Sequence, residues 1–165
     1  MKKWSLRLLC LAAAAAAVFC LWYTRPQSFW QATDMDPENI TGASGYALVS
    51  TTDAGATTTQ SCFLDALAPG QADYEAMLEL LEGTTYRASL QNLLPPSSSH
   101  AADSVTATAA FALGDRLVTL QAAAPGTVLV TSFQWEGSRV FSVSPGDLNQ
   151  TLADFVQQRG TWANS

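Results

Sequence analysis

His100 is the single histidine of the chain, and Ser97, Ser98, Ser99 and Asp103 stand within three residues of it. Serine, histidine and aspartate are the residue types of a nucleophile, its base and the group that orients the base. That chemistry needs the imidazole held rigidly between its partners. Here the residues follow Pro95-Pro96, so the segment predicts an exposed loop rather than a triad. A second cluster is Asp34-Met35-Asp36-Pro37-Glu38-Asn39, three carboxylates in five residues. Hard cations take oxygen ligands at such spacings, but the glycine and distal glutamate of an EF-hand loop are missing, and a solvated segment is expected. The pattern contains no P-loop and no dinucleotide-binding glycine fingerprint. One histidine, and one cysteine beyond residue 25 (Cys62), make a transition-metal site a poor fit. The 14 acidic residues offer candidates for a glycosidase pair, but the sequence singles out no two of them. No catalytic, cofactor-binding or metal-ligating residue is therefore assigned, and no cofactor is expected.

Charge is unevenly distributed. The chain of 165 residues carries a formal charge of −6, yet Lys2, Lys3, Arg7 and Arg25 all lie in its first 25 residues. From residue 26 onward, Arg87, Arg116, Arg139 and Arg159 face all 14 acids, a formal −10. Nucleic acid demands a basic face, so it is not an expected partner. Cys62 lies in a predicted strand and is expected to be a small buried residue rather than a reactive thiol.

The first 25 residues read as a targeting segment. A basic start precedes an uncharged stretch from Leu8 to Thr24. An uncleaved signal anchor is the favoured expectation, with Trp4 at one end and Trp22-Tyr23 at the other as interfacial aromatics. Trp4 to Tyr23 spans a bilayer only if Arg7 snorkels to the headgroups, because the hydrocarbon core is roughly 30 Å thick. Cleavage after Ala17 is the alternative, which would leave a secreted protein. Cys10 and Cys20 lack the small preceding residues of a lipoprotein signal. The positive-inside rule then puts the N-terminus in the cytoplasm and the remainder outside. The division expected is residues 1–25 as transmembrane segment, 26–42 as acidic juxtamembrane linker, and 43–165 as an extracytoplasmic α+β domain.

Within that domain, residues 46–51 and 57–64 flank Asp53-Ala54-Gly55 and predict a β-hairpin. Tyr74, Met77, Leu78 and Leu81 recur at helical spacing, with Gly83 as the stop. Residues 85–90 alternate like a strand. A four-strand meander is predicted over 105–113, 116–121, 127–135 and 138–143, with Phe133 and Trp135 on one face of the third strand. Their expected role is core packing, with a sugar- or peptide-binding surface as the rival. Ser144-Pro145-Gly146-Asp147 predicts a capped start to a final helix carrying Leu148, Leu152, Phe155 and Val156, closed by Arg159 and Gly160. The economical arrangement is an antiparallel sheet (hairpin, then meander) packed by two amphipathic helices.

The runs Tyr74-Glu75-Ala76-Met77-Leu78-Glu79-Leu80-Leu81 and Arg139-Val140-Phe141-Ser142-Val143-Ser144-Pro145-Gly146-Asp147-Leu148 carry a likeness. The layout from Ala43 to Gly160 resembles small, uncharacterised, membrane-anchored extracytoplasmic proteins of Gram-positive bacteria. The resemblance implies a location and an architecture, and no activity. The expected function is a non-catalytic binding or accessory domain at the cell surface, associated with the membrane through its N-terminal helix and with an envelope protein as partner. Two alternatives stand beside it. One is an envelope glycan or peptide hydrolase using carboxylates; the other is a small-ligand sensor with a cavity beneath Tyr74, Met77 and Leu81.

Overall fold

The alternation of apolar and polar residues in the second half becomes a run of antiparallel strands. In the computed structural model, which describes residues 2–53, 56–93, 105–135 and 137–163, that run is part of one larger sheet. Its strands are β1 (Pro26–Gln27), β2 (Gly42–Asp53), β3 (Ala56–Leu67), β4 (Thr85–Ala88), β5 (Val105–Leu113), β6 (Arg116–Ala124), β7 (Thr127–Thr131), β8 (Ser138–Ser144) and β9 (Thr161–Trp162). They form a nine-stranded, wholly antiparallel sheet in the order β1-β4-β8-β7-β6-β5-β2-β3-β9. The helices are α1 (Lys2–Tyr23), α2 (Phe29–Thr33), α3 (Ala72–Glu82) and α4 (Leu148–Arg159).

One face of the sheet carries the core. Ala47, Cys62, Ala107, Ala109, Leu120, Ala122, Val130 and Phe141 are all buried on it. Helix α4 lies over β5, β2 and β3, where the inward residues are small. Gly45 shows why: a Cβ there would stand 2.7 Å from Val156 Cγ2 of α4. Alanine and glycine on the strands let the helix settle close to the sheet. Helix α3 buries Tyr74, Met77 and Leu81, the spacing read from sequence. Arg159 Nε donates to Asp73 Oδ1 at 2.8 Å and ties the end of α4 to the start of α3.

The structure corrects several expectations. The transmembrane span and the signal anchor are overturned: among the described residues no helix is long and apolar enough to cross a membrane. Helix α1 is continuous, but its apolar part begins after Arg7. Leu8 to Tyr23 is about 24 Å long at 1.5 Å per residue, short of a core of roughly 30 Å, and Ala12 to Ala17 are only weakly apolar. Leu8, Leu9, Leu11, Val18 and Leu21 stand exposed along it.

The sheet is also larger than the expected hairpin and four-strand meander packed by two helices, because β1, β4 and β9 join it. Strand β2 pairs β5 as well as β3, and β4 pairs β8, so among the described residues nine strands form one sheet with four helices. The segment expected to be a linker holds β1, α2 and a 3-10 turn, and it buries Phe29, Ala32, Met35 and Ile40. Phe29 packs among Trp30, Tyr86 and Phe111, with ring centroids 4.9, 6.2 and 5.5 Å away. Burying such a side chain contributes about 1.5–3 kcal/mol.

Two boundaries also move. Strand β7 stops at Thr131 because Ser132 turns the chain: Trp135 N donates to Ser132 O and Gln134 N to Ser132 Oγ. Phe133 and Trp135 therefore leave the strand rather than share its face. Helix α4 starts at Leu148, with Asp147 as a cap that makes no side-chain bond. The Ser144 capping box does not form, since Gly126 N donates to Gly146 O at 2.6 Å and Val143 N to Gly126 O at 2.9 Å. Those bonds hold the Pro145-Gly146 segment against the β6–β7 turn instead of opening a helix.

Candidate functional site

Arginine, rather than acid, marks the most chemically distinctive concavity. A part-enclosed cleft of about 170 Å³ lies between the end of α1, β1, α2 and the rim of β4 and β8. Trp22, Tyr23, Arg25, Gln27, Gln31, Ala32, Ala88, Arg139 and Phe141 line it. The lining has two guanidinium groups and no carboxylate, in a chain whose formal charge is −6.

Each wall is fixed by local chemistry. Helix α2 begins with a capping box: Gln31 N donates to Ser28 Oγ, and Ser28 N donates to Gln31 Oε1. Engaging Oε1 in this way leaves the amide NH2 of Gln31 as its free, donating end. Strand β1 pairs Gln27 with Tyr86 and sets the backbone beside Arg25. On β8, Arg139 lies opposite Val130, whose side chain is buried on the helix-covered face, so Arg139 occupies the rim of that face. Asn92 grips the adjoining backbone: Val140 N donates to Asn92 Oδ1 at 2.7 Å, and Asn92 Nδ2 donates to Val140 O at 2.9 Å. The β7–β8 turn is tied to α2 through Gln134 Nε2, which donates to Asp34 O at 2.7 Å.

Both guanidiniums rest on indoles. The Arg25 carbon lies 5.5 Å from the Trp22 ring centre, and that of Arg139 lies 4.2 Å from Trp135. Stacking uses the face of the guanidinium and leaves its in-plane N–H donors available. Among the described residues the ion pair of Arg159 with Asp73 is the only one, and neither Arg25 nor Arg139 donates to a carboxylate there.

The residues weighed in the sequence go elsewhere. His100, Ser97, Ser98, Ser99 and Asp103 lie outside the described residues. In the acidic run, Asp36 caps the 3-10 turn, accepting from Glu38 N and Asn39 Nδ2, while Asp34 ends α2 in the left-handed region at φ 57°. Among the described residues no group of three His, Cys, Asp or Glu is placed to hold a metal ion. Cys62 is fully buried, its thiol donates to Val156 O at 3.5 Å, and burial pushes its pKa up. Burial likewise raises Tyr74, helped by the neighbouring Glu75 carboxylate. Tyr86, whose O–H donates to Leu81 O at 3.1 Å, is raised further by burial. Phe133 is partly exposed beneath Arg116, and Trp135 packs against the core while supporting Arg139. Glu75, Glu79 and Glu82 border one open depression beside α3. Another, near the start of β2, is lined by small and apolar residues without any charge.

Sequence reasoning passed over the cleft. Its local signal was the spacing of an aromatic three or four residues before each arginine, Trp22 to Arg25 and Trp135 to Arg139. Comparison with protein-family models, curated proteins and solved structures finds no match.

Proposed function

We propose that this chain is a non-catalytic binding or accessory domain that works outside the cytoplasm, at the cell surface. One observation carries the binding half of this reading. In an acidic chain, Arg25 and Arg139 line one cleft without a carboxylate partner among the described residues, each held by an indole. What sets these two apart from the other arginines is that they line one cleft whose walls carry no carboxylate. Two positioned guanidiniums converging on a cleft without a carboxylate suit a recognition surface. The location rests on Lys2, Lys3 and Arg7 preceding the uncharged Leu8 to Thr24 stretch, the pattern of an export signal.

The test has two parts. For location, alkaline phosphatase, which is active only after export, is fused after Ser165 of the full-length protein and assayed in a bacterial host. High phosphatase activity is expected, and activity confined to a signal-bearing control would refute the location. For binding, a photocrosslinking residue replaces Gln27 at the cleft, or Ser50 far from it, in cells. An adduct from position 27 that disappears in the Arg25→Gln/Arg139→Gln variant is expected. Equal adducts from both positions, indifferent to the arginines, would rule out the cleft as the binding surface.

A further inference from the structure

The donor set of the cleft narrows the chemistry of its ligand, an inference that rests on the cleft being a binding site. Two stacked guanidiniums offer in-plane forks, the Gln31 amide offers its NH2 end, and Tyr23 is also a lining residue. The guanidiniums and the NH2 group only donate, and no carboxylate lies among the lining residues to compete with an anion. A single carboxylate is satisfied by one guanidinium fork, whereas a phosphate group has terminal oxygens enough for two. A sphere of the cleft's volume is about 7 Å across, room for such a group, and the cleft is only part-enclosed, so the rest of a ligand can extend out of it. Trp22, Tyr23 and Phe141 add apolar wall beside the donors.

We propose that the cleft binds a phosphate-type oxyanion through Arg25 and Arg139, with the group that bears it resting on Trp22, Tyr23 and Phe141. The same head group can come from a free phosphate ester or from a phospholipid, and the experiment separates these sources. The full chain is titrated by calorimetry with inorganic phosphate, phenyl phosphate and phenol. In a second arm it is mixed with phosphatidylcholine vesicles, with and without phosphatidylglycerol. Arg25→Gln, Arg139→Gln and the double variant are compared with Arg159→Gln, an arginine outside the cleft, and urea midpoints confirm that each variant is folded.

Saturable binding of phenyl phosphate, absent for phenol, is expected. Each cleft substitution should weaken it about tenfold or more, the usual loss for a hydrogen bond to a charged group, while Arg159→Gln leaves it unchanged. That result identifies a free ester as the source. Sensitivity to the two arginines only in the phosphatidylglycerol arm identifies a lipid head group, and equally supports an oxyanion site. Binding in neither arm that depends on Arg25 and Arg139 overturns the proposal. If position 27 still yields its arginine-dependent adduct in cells, the binding reading survives and only the ligand class falls; loss of both removes the two together.

Discussion

Gly160→Ala tests how tightly the end of α4 is pressed onto β3. Gly160 has φ −88°, a conformation open to any residue, so backbone strain contributes nothing to the expected effect. Space decides it. A Cβ at this position would lie 2.5 Å from Phe63 O, 2.7 Å from Val156 O and 2.9 Å from Cys62 Sγ. Two of these obstacles are backbone carbonyls, one fixed in β3 and the other in the last turn of α4. Overpacking of this kind costs typically about 1–3 kcal/mol, and alanine recovers about 0.4–1 kcal/mol by restricting the unfolded chain. Because the obstacles are backbone, the cost is expected near the upper end of its range, about 3 kcal/mol, which leaves a net loss of about 2 kcal/mol. In urea unfolding followed by tryptophan fluorescence, the midpoint should fall by about 1 M. Adding Cys62→Ala removes the sulfur contact but neither carbonyl, so it should not restore stability. A loss below about 0.5 kcal/mol, or full rescue by Cys62→Ala, would refute the backbone-clash argument.

Phe29→Ala should destabilise by about 3–5 kcal/mol in the same assay, because the ring is fully buried among three aromatic neighbours; a loss under about 1 kcal/mol would mean that the segment before β2 is not part of the core. Tyr86→Phe addresses pH. The folded state holds the Tyr86 proton above its ordinary value of 10.0, so its contribution is complete below that pH and fades as pH rises toward the folded-state value. Alkaline stability should therefore fall by up to about 1.4 kcal/mol per pH unit from this group, and the Phe variant should fall less steeply. Parallel stability–pH curves for the two proteins above pH 10.0 would contradict this.

The sequence-legible parts of the fold are those with a repeated period. Tyr74, Met77 and Leu81 announce α3 because a helix of 11 residues samples its buried face three times. The turns at Gly114 and Gly126, both at positive φ, mark the ends of meander strands. By contrast, α2 has five residues, little more than one turn, so Phe29 and Ala32 produce no period to recognise. The order of the sheet was hidden for another reason: β4 joins β8 and β2 joins β5 through pairings far apart in sequence. The cleft depends on that order. Arg25 precedes β1 and Arg139 lies on β8, and only the insertion of β4 between those strands brings them to one rim. The misplaced end to β7 had a local cause instead, since the Ser132 turn is a side-chain and backbone bond rather than a break in hydropathy.

The two shortest strands occupy the two edges of the sheet. β1 and β9 pair two residues each, with eight steps between them, a path of about 38 Å across the sheet at about 4.8 Å per step. Tension applied between Pro26 and Trp162 therefore acts across the strands, in line with their hydrogen bonds. The bonds are loaded in sequence rather than sheared together, and the load falls first on two short pairings. Under mechanical pull the two-residue edge pairings are expected to part first, ahead of the strands that α4 covers. The cleft borders β1, so it is dismantled at the first step, and a ligand bridging Arg25 to Arg139 would act as a clasp on that edge.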